Sequence, residues 1–224
     1  MIIVFSGVDC AGKSTQIELL KKEFLTQGVT AQSLWSRGGY TPGFELFKKF
    51  LRIIFGKKMI PVGRSKEKQK AMSNSFIRYL WLVIAMLDLL FLYVIIIRIK
   101  SFLGKVIICD RYLGDTYIDF SLNFPKSNFN KMWLWKLLTT TLPKPDFCFL
   151  FTLSVENSIY RSNLKNEPFP DSKEVLQQRL DMYKLSALFD ADDWVKINGD
   201  DTIVFSASII KKKIFSMLKA NNAS

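Results

Sequence analysis

Histidine is missing from this 224-residue sequence, and its absence excludes a Ser-His-Asp or Cys-His triad as the source of any chemistry. Cysteine is scarce. Cys10, Cys109 and Cys148 stand far apart with no CxxC spacing, so they form neither a disulfide framework nor a metal-ligand cluster. Isolated thiols suit a reducing compartment, and a cytoplasmic protein is expected. No charged segment precedes the first apolar run, so no signal peptide is expected. Acidic residues are outnumbered, 20 Asp and Glu against 32 Lys and Arg, for a net charge of +12. Such a surface attracts nucleotides, nucleic acids or anionic membranes. The basic residues are spread over many segments without an RRM, helix-turn-helix or zinc-finger signature, so general nucleic-acid binding is not expected. Lys211-Lys212-Lys213 falls in an expected terminal helix and reads as a solvated face. Internal repeats and low-complexity tracts are also lacking. With 49% hydrophobic residues the chain can fill a real core, and one α/β domain spanning 1–224 is expected.

What is present is concentrated at the start. Met1 to Phe5 (MIIVF) is an unbroken apolar run, followed at once by Ser6-Gly7-Val8-Asp9-Cys10-Ala11-Gly12-Lys13-Ser14-Thr15. From Lys13 to Gln27 the pattern is helical, with Ile17, Leu20, Phe24 and Leu25 on one stripe and Gly28 as the stop. A buried strand feeding G-x-x-x-x-G-K-S and then a helix is the context a phosphate loop requires. Gly7 and Gly12 let successive N–H groups turn inward toward phosphate oxygens. The helix start adds the positive end of its dipole. Lys13 can reach β- and γ-phosphates, and the Ser14 hydroxyl suits Mg²⁺.

Further along, Val29 to Trp35 reads as a second strand, followed by Ser36-Arg37-Gly38-Gly39 and a helix over 44–55. Arg37, at the carboxyl end of a parallel strand, can grip an anionic acceptor; a solvated loop arginine is the alternative. Residues 57–70 are polar and basic and read as a mobile connection. Tyr79 to Ile97 is nineteen residues with one charge, Asp88. By length it qualifies as a membrane span. A mid-span aspartate costs about 2.5–3.5 kcal/mol on insertion scales. A span would also put the phosphate loop and the strand after it on opposite sides of a bilayer. A core helix, apolar all round, is therefore the expectation, with surface association as the alternative.

Val106 to Cys109 is a third buried strand ending in Asp110-Arg111-Tyr112. There the carboxylate is placed for Mg²⁺ and the arginine for a transferring phosphoryl group. Helices are expected over 117–122 and 129–141, a fourth strand over 146–152, and helices over 154–162 and 172–189. Between the last two, a basic, Pro-punctuated loop can act as a lid. Trp194 to Ile197 is a fifth strand, Asn198-Gly199-Asp200 a turn, and 202–218 a final helix. Five short apolar strands alternating with helices predict a parallel, doubly wound sheet.

Taken in order, FSGVDCAGKSTQ, RGGYTPG, VIICDRY and SVENSIYRSNLK, with VKINGDD at the end, resemble the thymidylate kinase family over nearly the whole chain. The resemblance implies a P-loop kinase fold with strand order 2-3-1-4-5. It also implies transfer of a phosphoryl group from Mg·ATP to a nucleoside monophosphate, dTMP foremost, and a homodimer. In that frame the loop residues Gly7 to Thr15, Asp9, Cys10 and Ala11 among them, cradle ATP. Lys13 holds the donor phosphates, and Ser14 and Asp110 the metal. Asp9 approaches the acceptor sugar, Arg37 and Arg111 bind the acceptor phosphate, and Tyr112 adds a contact beside them. Arg161 and Lys165 come from a lid at about 161–172, with Arg161 and Asn198 on the adenine side. The departures fall mainly on the acceptor. The family has either a loop arginine where Cys10 stands or, in compensation, a lid arginine cluster, and the lid here offers only Arg161 and Lys165. Counted back from DRY, the family's base-stacking phenylalanine falls at Ala85 and its thymine-contacting arginine at Leu89, although a gap would bring Arg78 and Trp81 into those roles. Asp88, Asp115 and Asp119 can form an acceptor-side wall that accepts hydrogen bonds from sugar hydroxyls or amines, or else serve as caps and ion-pair partners. Open alternatives to dTMP are another nucleotide, a sugar or a lipid-linked substrate, and an NTP-binding protein with weak turnover.

Overall fold

Five short apolar runs become five strands: β1 (Ile2–Gly7), β2 (Ala31–Trp35), β3 (Val106–Asp110), β4 (Phe147–Thr152) and β5 (Trp194–Asn198). The computed structural model describes residues 1–36, 74–166, 171–189 and 193–222; Arg37, the expected helix over 44–55 and the connection 57–70 lie outside them. Every strand pairing is parallel, and the sheet order is β2-β3-β1-β4-β5, as expected. The register sets Phe5 beside Asp110, Trp35 beside Asp110, Gly7 beside Phe151 and Thr152 beside Asn198. The carboxyl ends of all five strands thus share one edge, where open parallel sheets bind ligands.

Both faces of the sheet are covered, which is why the inner strands β1, β3 and β4 are buried almost throughout, while the edge strands β2 and β5 carry Gln32, Ser33 and Lys196 and alternate in burial. Ile3, Phe5, Ile108, Phe149 and Phe151 face a core completed by α1 (Lys13–Thr26), α6 (Lys173–Leu185) and α7 (Ile203–Asn222). The Phe5 ring lies 5.3 Å from Phe149 and 5.4 Å from Phe151; each such buried side chain stabilises by about 1.5–3 kcal/mol. Lys211 of α7 pairs with Glu23 of α1 at 2.5 Å, so that part of the basic run is not merely a solvated face. On the other side Ile2, Val4, Ile107 and Cys109 pack under α2 (Ser75–Phe102) and α4 (Trp133–Thr141). Between the layers, α3 (Leu113–Asn123) contributes Ile118 to the first core and Phe120 to the second. The remaining helix, α5 (Val155–Leu164), follows β4.

Several helix boundaries differ from expectation, three of them for a plain local reason. α3 begins four residues early because the Asp115 carboxylate reaches back to the amide of Tyr112 at 3.0 Å and closes the first turn. The 129–141 helix is broken at Met132, whose extended backbone separates a 3₁₀ turn from α4. Similarly, α6 stops at Leu185 because Ser186 is extended.

The long apolar stretch does form a helix over the sheet, but not one buried all round. Asn74 caps it, accepting from the amides of Phe76 and Ile77 at 2.9 and 3.3 Å. Leu82, Ala85, Met86, Leu89, Leu92, Tyr93 and Ile97 face inward. From Phe91 to Ile97 the winding is π-helical. A wider turn advances less per residue, so it offsets the drift of an α-helical stripe and keeps both Tyr93 and Ile97 against the sheet. Only 39% of the helix's most apolar eighteen-residue stretch is buried.

Candidate active site

At the carboxyl edge, β1 runs into the loop Val8–Gly12 and then α1. The backbone is left-handed at Cys10 (φ 62°) and Gly12 (φ 92°) and positive at Gly7 (φ 126°). Gly7 has no room for a side chain, because a Cβ would lie 2.0 Å from the Phe151 carbonyl oxygen. A Cβ on Gly12 would meet nothing within 4 Å, so the loop is closed behind and open in front. That alternation turns successive N–H groups into an anion-binding nest at a helix start.

In front of the loop is a cavity of about 190 Å³ lined by Asp9 through Thr15, Trp35, Asp110, Arg111 and Lys165. The Lys13 ammonium donates to the carbonyls of Gly7 (2.9 Å) and Val8 (2.6 Å). Burial, and then the nearby Arg111, lower its pKa from 10.5 to about 8, although three carboxylates pull the other way. Asp110 is the converse. Burial raises its pKa despite Lys13 and Arg111, and its Oδ1 is buried without a hydrogen-bond partner. An orphaned carboxylate oxygen beside an exposed Ser14 fits a cation that takes its remaining ligands from phosphate and water. Among the described residues no group of three or more Cys, Asp or Glu stands ready to hold a metal by itself.

Arg111 is the most heavily held side chain of the site. Its backbone is left-handed (φ 80°) and its side chain is 4% exposed. The guanidinium donates to Asp9, to Asp115 at 3.1 Å, to Tyr183 at 3.2 Å and to the Gly7 carbonyl at 3.3 Å. Burial opposes its charge, but Asp9, Tyr183 and Asp115 outweigh that and raise its pKa well above the ordinary value. Asp115 in turn accepts from the Ser6 hydroxyl (2.5 Å), the Tyr183 hydroxyl (2.5 Å) and the amides of Tyr112 (3.0 Å) and Gly7 (3.3 Å). One buried carboxylate thus ties together strand β1, the start of α3, the arginine and α6.

Several expected acceptor contacts are placed elsewhere. Asp115 is spent on the bonds just described and does not line the cavity. Asp119 is buried against Arg179 of α6 at 2.6 Å, and Arg179 also reaches Asp171 at 3.5 Å. Asp88 is half-buried on α2 and engaged there, away from the cavity lining. Asp115 and Asp119 are therefore buried ion-pair partners rather than a wall along this cavity. Tyr112 is buried, with its ring 4.7 Å from Tyr93 and its hydroxyl donating to the Pro143 carbonyl at 2.8 Å. Arg78 sits in the first turn of α2 and donates to Ser75, and Trp81 packs on Phe124 at 5.0 Å.

On the opposite flank Arg161 donates to the carbonyls of Gly199 (2.9 Å) and Cys10 (3.3 Å) rather than lining the cavity. It bridges the loop to the turn after β5, where Asn198 accepts from the amide of Asp200 at 3.1 Å. Gly199 packs directly on the loop: a Cβ there would meet the Thr152 carbonyl at 2.9 Å and the Ala11 carbonyl at 3.1 Å. Of the two basic lid residues only Lys165 reaches the cavity.

The residues that spacing did not single out are Ser6, Ser36, Trp35, Arg179 and Tyr183. Trp35 carried a usable signal, an aromatic at a strand's carboxyl end. Tyr183 and Arg179 carried none, because their partners lie 68 and 60 residues away. No family model matches this chain, and a search among curated proteins likewise finds no match.

Proposed function

We propose that this protein is a P-loop phosphotransferase of the thymidylate kinase type, moving the γ-phosphoryl group of ATP to a monophosphate acceptor, dTMP foremost. The supporting observation is that Lys13, Asp110, Arg111 and Asp9, from two adjacent strand ends, line one cavity with an open anion nest behind it. In the reaction an acceptor phosphate oxygen forms a bond to the γ-phosphorus as the bond to the bridging oxygen of ADP breaks. Such transfer needs positioning and charge neutralisation more than covalent help from the protein. The nest would hold the donor phosphates, Lys13 would leave its two carbonyls for them, and Arg111 would stabilise charge on the moving group. Ser14 and Asp110 would hold Mg²⁺, which supplies further neutralisation when bound.

One observation favours an acceptor other than dTMP within the same class. Ala85 and Leu89, which fall at the family's thymine-contacting positions, are 0% exposed in the core beneath α2 and cannot face a base. A coupled ADP-release assay over a panel of nucleoside monophosphates and sugars tests both points. ATP turnover that requires one acceptor and falls by at least about a thousandfold in Lys13→Ala is the expected outcome. Turnover indifferent to Lys13→Ala would remove the kinase assignment, and a clear preference for dTMP would remove the altered acceptor.

A further inference from the structure

The outer side of the α2/α4 layer joins two properties. Leu80, Leu87, Phe91, Ile95, Ile99 and Phe102 are exposed, Phe102 by 93%, and recur at intervals of three, four and seven residues. They form one stripe along the side of α2 that faces away from the sheet, on a helix about 40 Å long. The stripe continues onto α4, where Trp133 and Leu137 are exposed, and Arg98 ties the two helices by donating to the Thr141 carbonyl at 2.7 Å. An apolar patch of this extent marks an interaction surface.

Charge decides between its possible occupants. Residues 75–105 and 126–144, which build this layer, carry eight Lys and Arg and one Asp, with Lys144 further offset by Asp193 at 3.3 Å. Lys105, Lys131 and Lys136 are exposed. A symmetric contact between two copies would set the same basic face against itself, and like charges across an interface oppose association. An anionic bilayer takes both features at once, with apolar side chains entering the acyl boundary and lysines remaining among the headgroups. A span is disfavoured because the inner side of α2 builds the core. Leu82, Met86 and Leu89 pack on the sheet, and the Tyr93 hydroxyl lies 2.7 Å from Ser36 beside Arg111. We propose that the α2/α4 face is an in-plane docking surface for an anionic phospholipid bilayer.

The test is co-sedimentation of the full chain with phosphatidylcholine vesicles, alone or with phosphatidylserine at about one lipid in three. Binding only to the mixed vesicles, weakened by salt, is expected. Lys105→Gln/Lys131→Gln/Lys136→Gln should reduce partitioning roughly a hundredfold, about fivefold per charge. Phe91→Ser/Phe102→Ser should abolish binding with the melting temperature preserved. If that variant misfolds, the lysine variant carries the test, since all three side chains point into solvent. Equal binding to uncharged vesicles, or no binding to either, would overturn the proposal. So would resistance to alkaline extraction, which indicates a span, or a dimer in sedimentation velocity that Phe91→Ser/Phe102→Ser converts to monomer.

Discussion

Lys13 links the charge of the site to pH. Its folded-state pKa of about 8 lies below the ordinary 10.5, mainly because burial penalises the ammonium. A group depressed in this way contributes stability that is present above 10.5 and lost as pH falls through about 8. Phosphate binding runs the other way, because it uses the charged form. ATP affinity measured by titration calorimetry should therefore fall about tenfold between pH 7 and pH 9, while Lys13→Met binds weakly at both. Asp115 makes the opposite kind of prediction. It does not line the cavity in front of the loop, yet it holds the charge of Arg111 inside the protein. Asp115→Asn leaves that guanidinium with Asp9 as its carboxylate partner among the described residues, and urea unfolding should show a loss of about 3 kcal/mol, the low end for broken buried pairs.

Between elements, the main polar joint is a ladder linking α3 to α6. Asp115 meets Tyr183 and Asp119 meets Arg179, each pair one helical turn from the other. Arg179 also reaches Asp171, just before α6, so the ladder extends to the start of that helix. A double-mutant cycle on Asp119→Leu and Arg179→Met should give a coupling of about 1–3 kcal/mol, with the double variant more stable than either single one. Additive effects would mean that the pair does not act as a unit. Hydrophobic period and loop chemistry announced the helices themselves and the strand–loop–helix start, because those signals are local. The ladder was not legible, since a carboxylate four residues from another on a helix reads equally well as a ligand wall or as a buried seam.

Across the whole molecule, both core layers hang on one sheet and should be lost together. Cys109 and Cys148 sit in the strands, with burial pushing both thiols up to about 12, while Cys10 is partly exposed in the phosphate loop. A thiol reagent should modify Cys10 quickly and Mg·ATP should protect it. The other two should react only above the denaturant midpoint seen by circular dichroism. Early reaction of Cys109 would show that the α2 layer opens independently of the rest.

The amino-acid sequence by itself determined the strand–loop–helix start, the five strands and their alternation with helices. Each of these follows from residue types within a few positions of one another. Tertiary structure alone decided that Asp115 and Asp119 turn inward to arginine and tyrosine, that Arg161 braces a turn, and that α2 shows one apolar side to the outside. Those outcomes depend on which distant groups the closed sheet brings within reach of a long side chain, and no spacing along the chain encodes that distance.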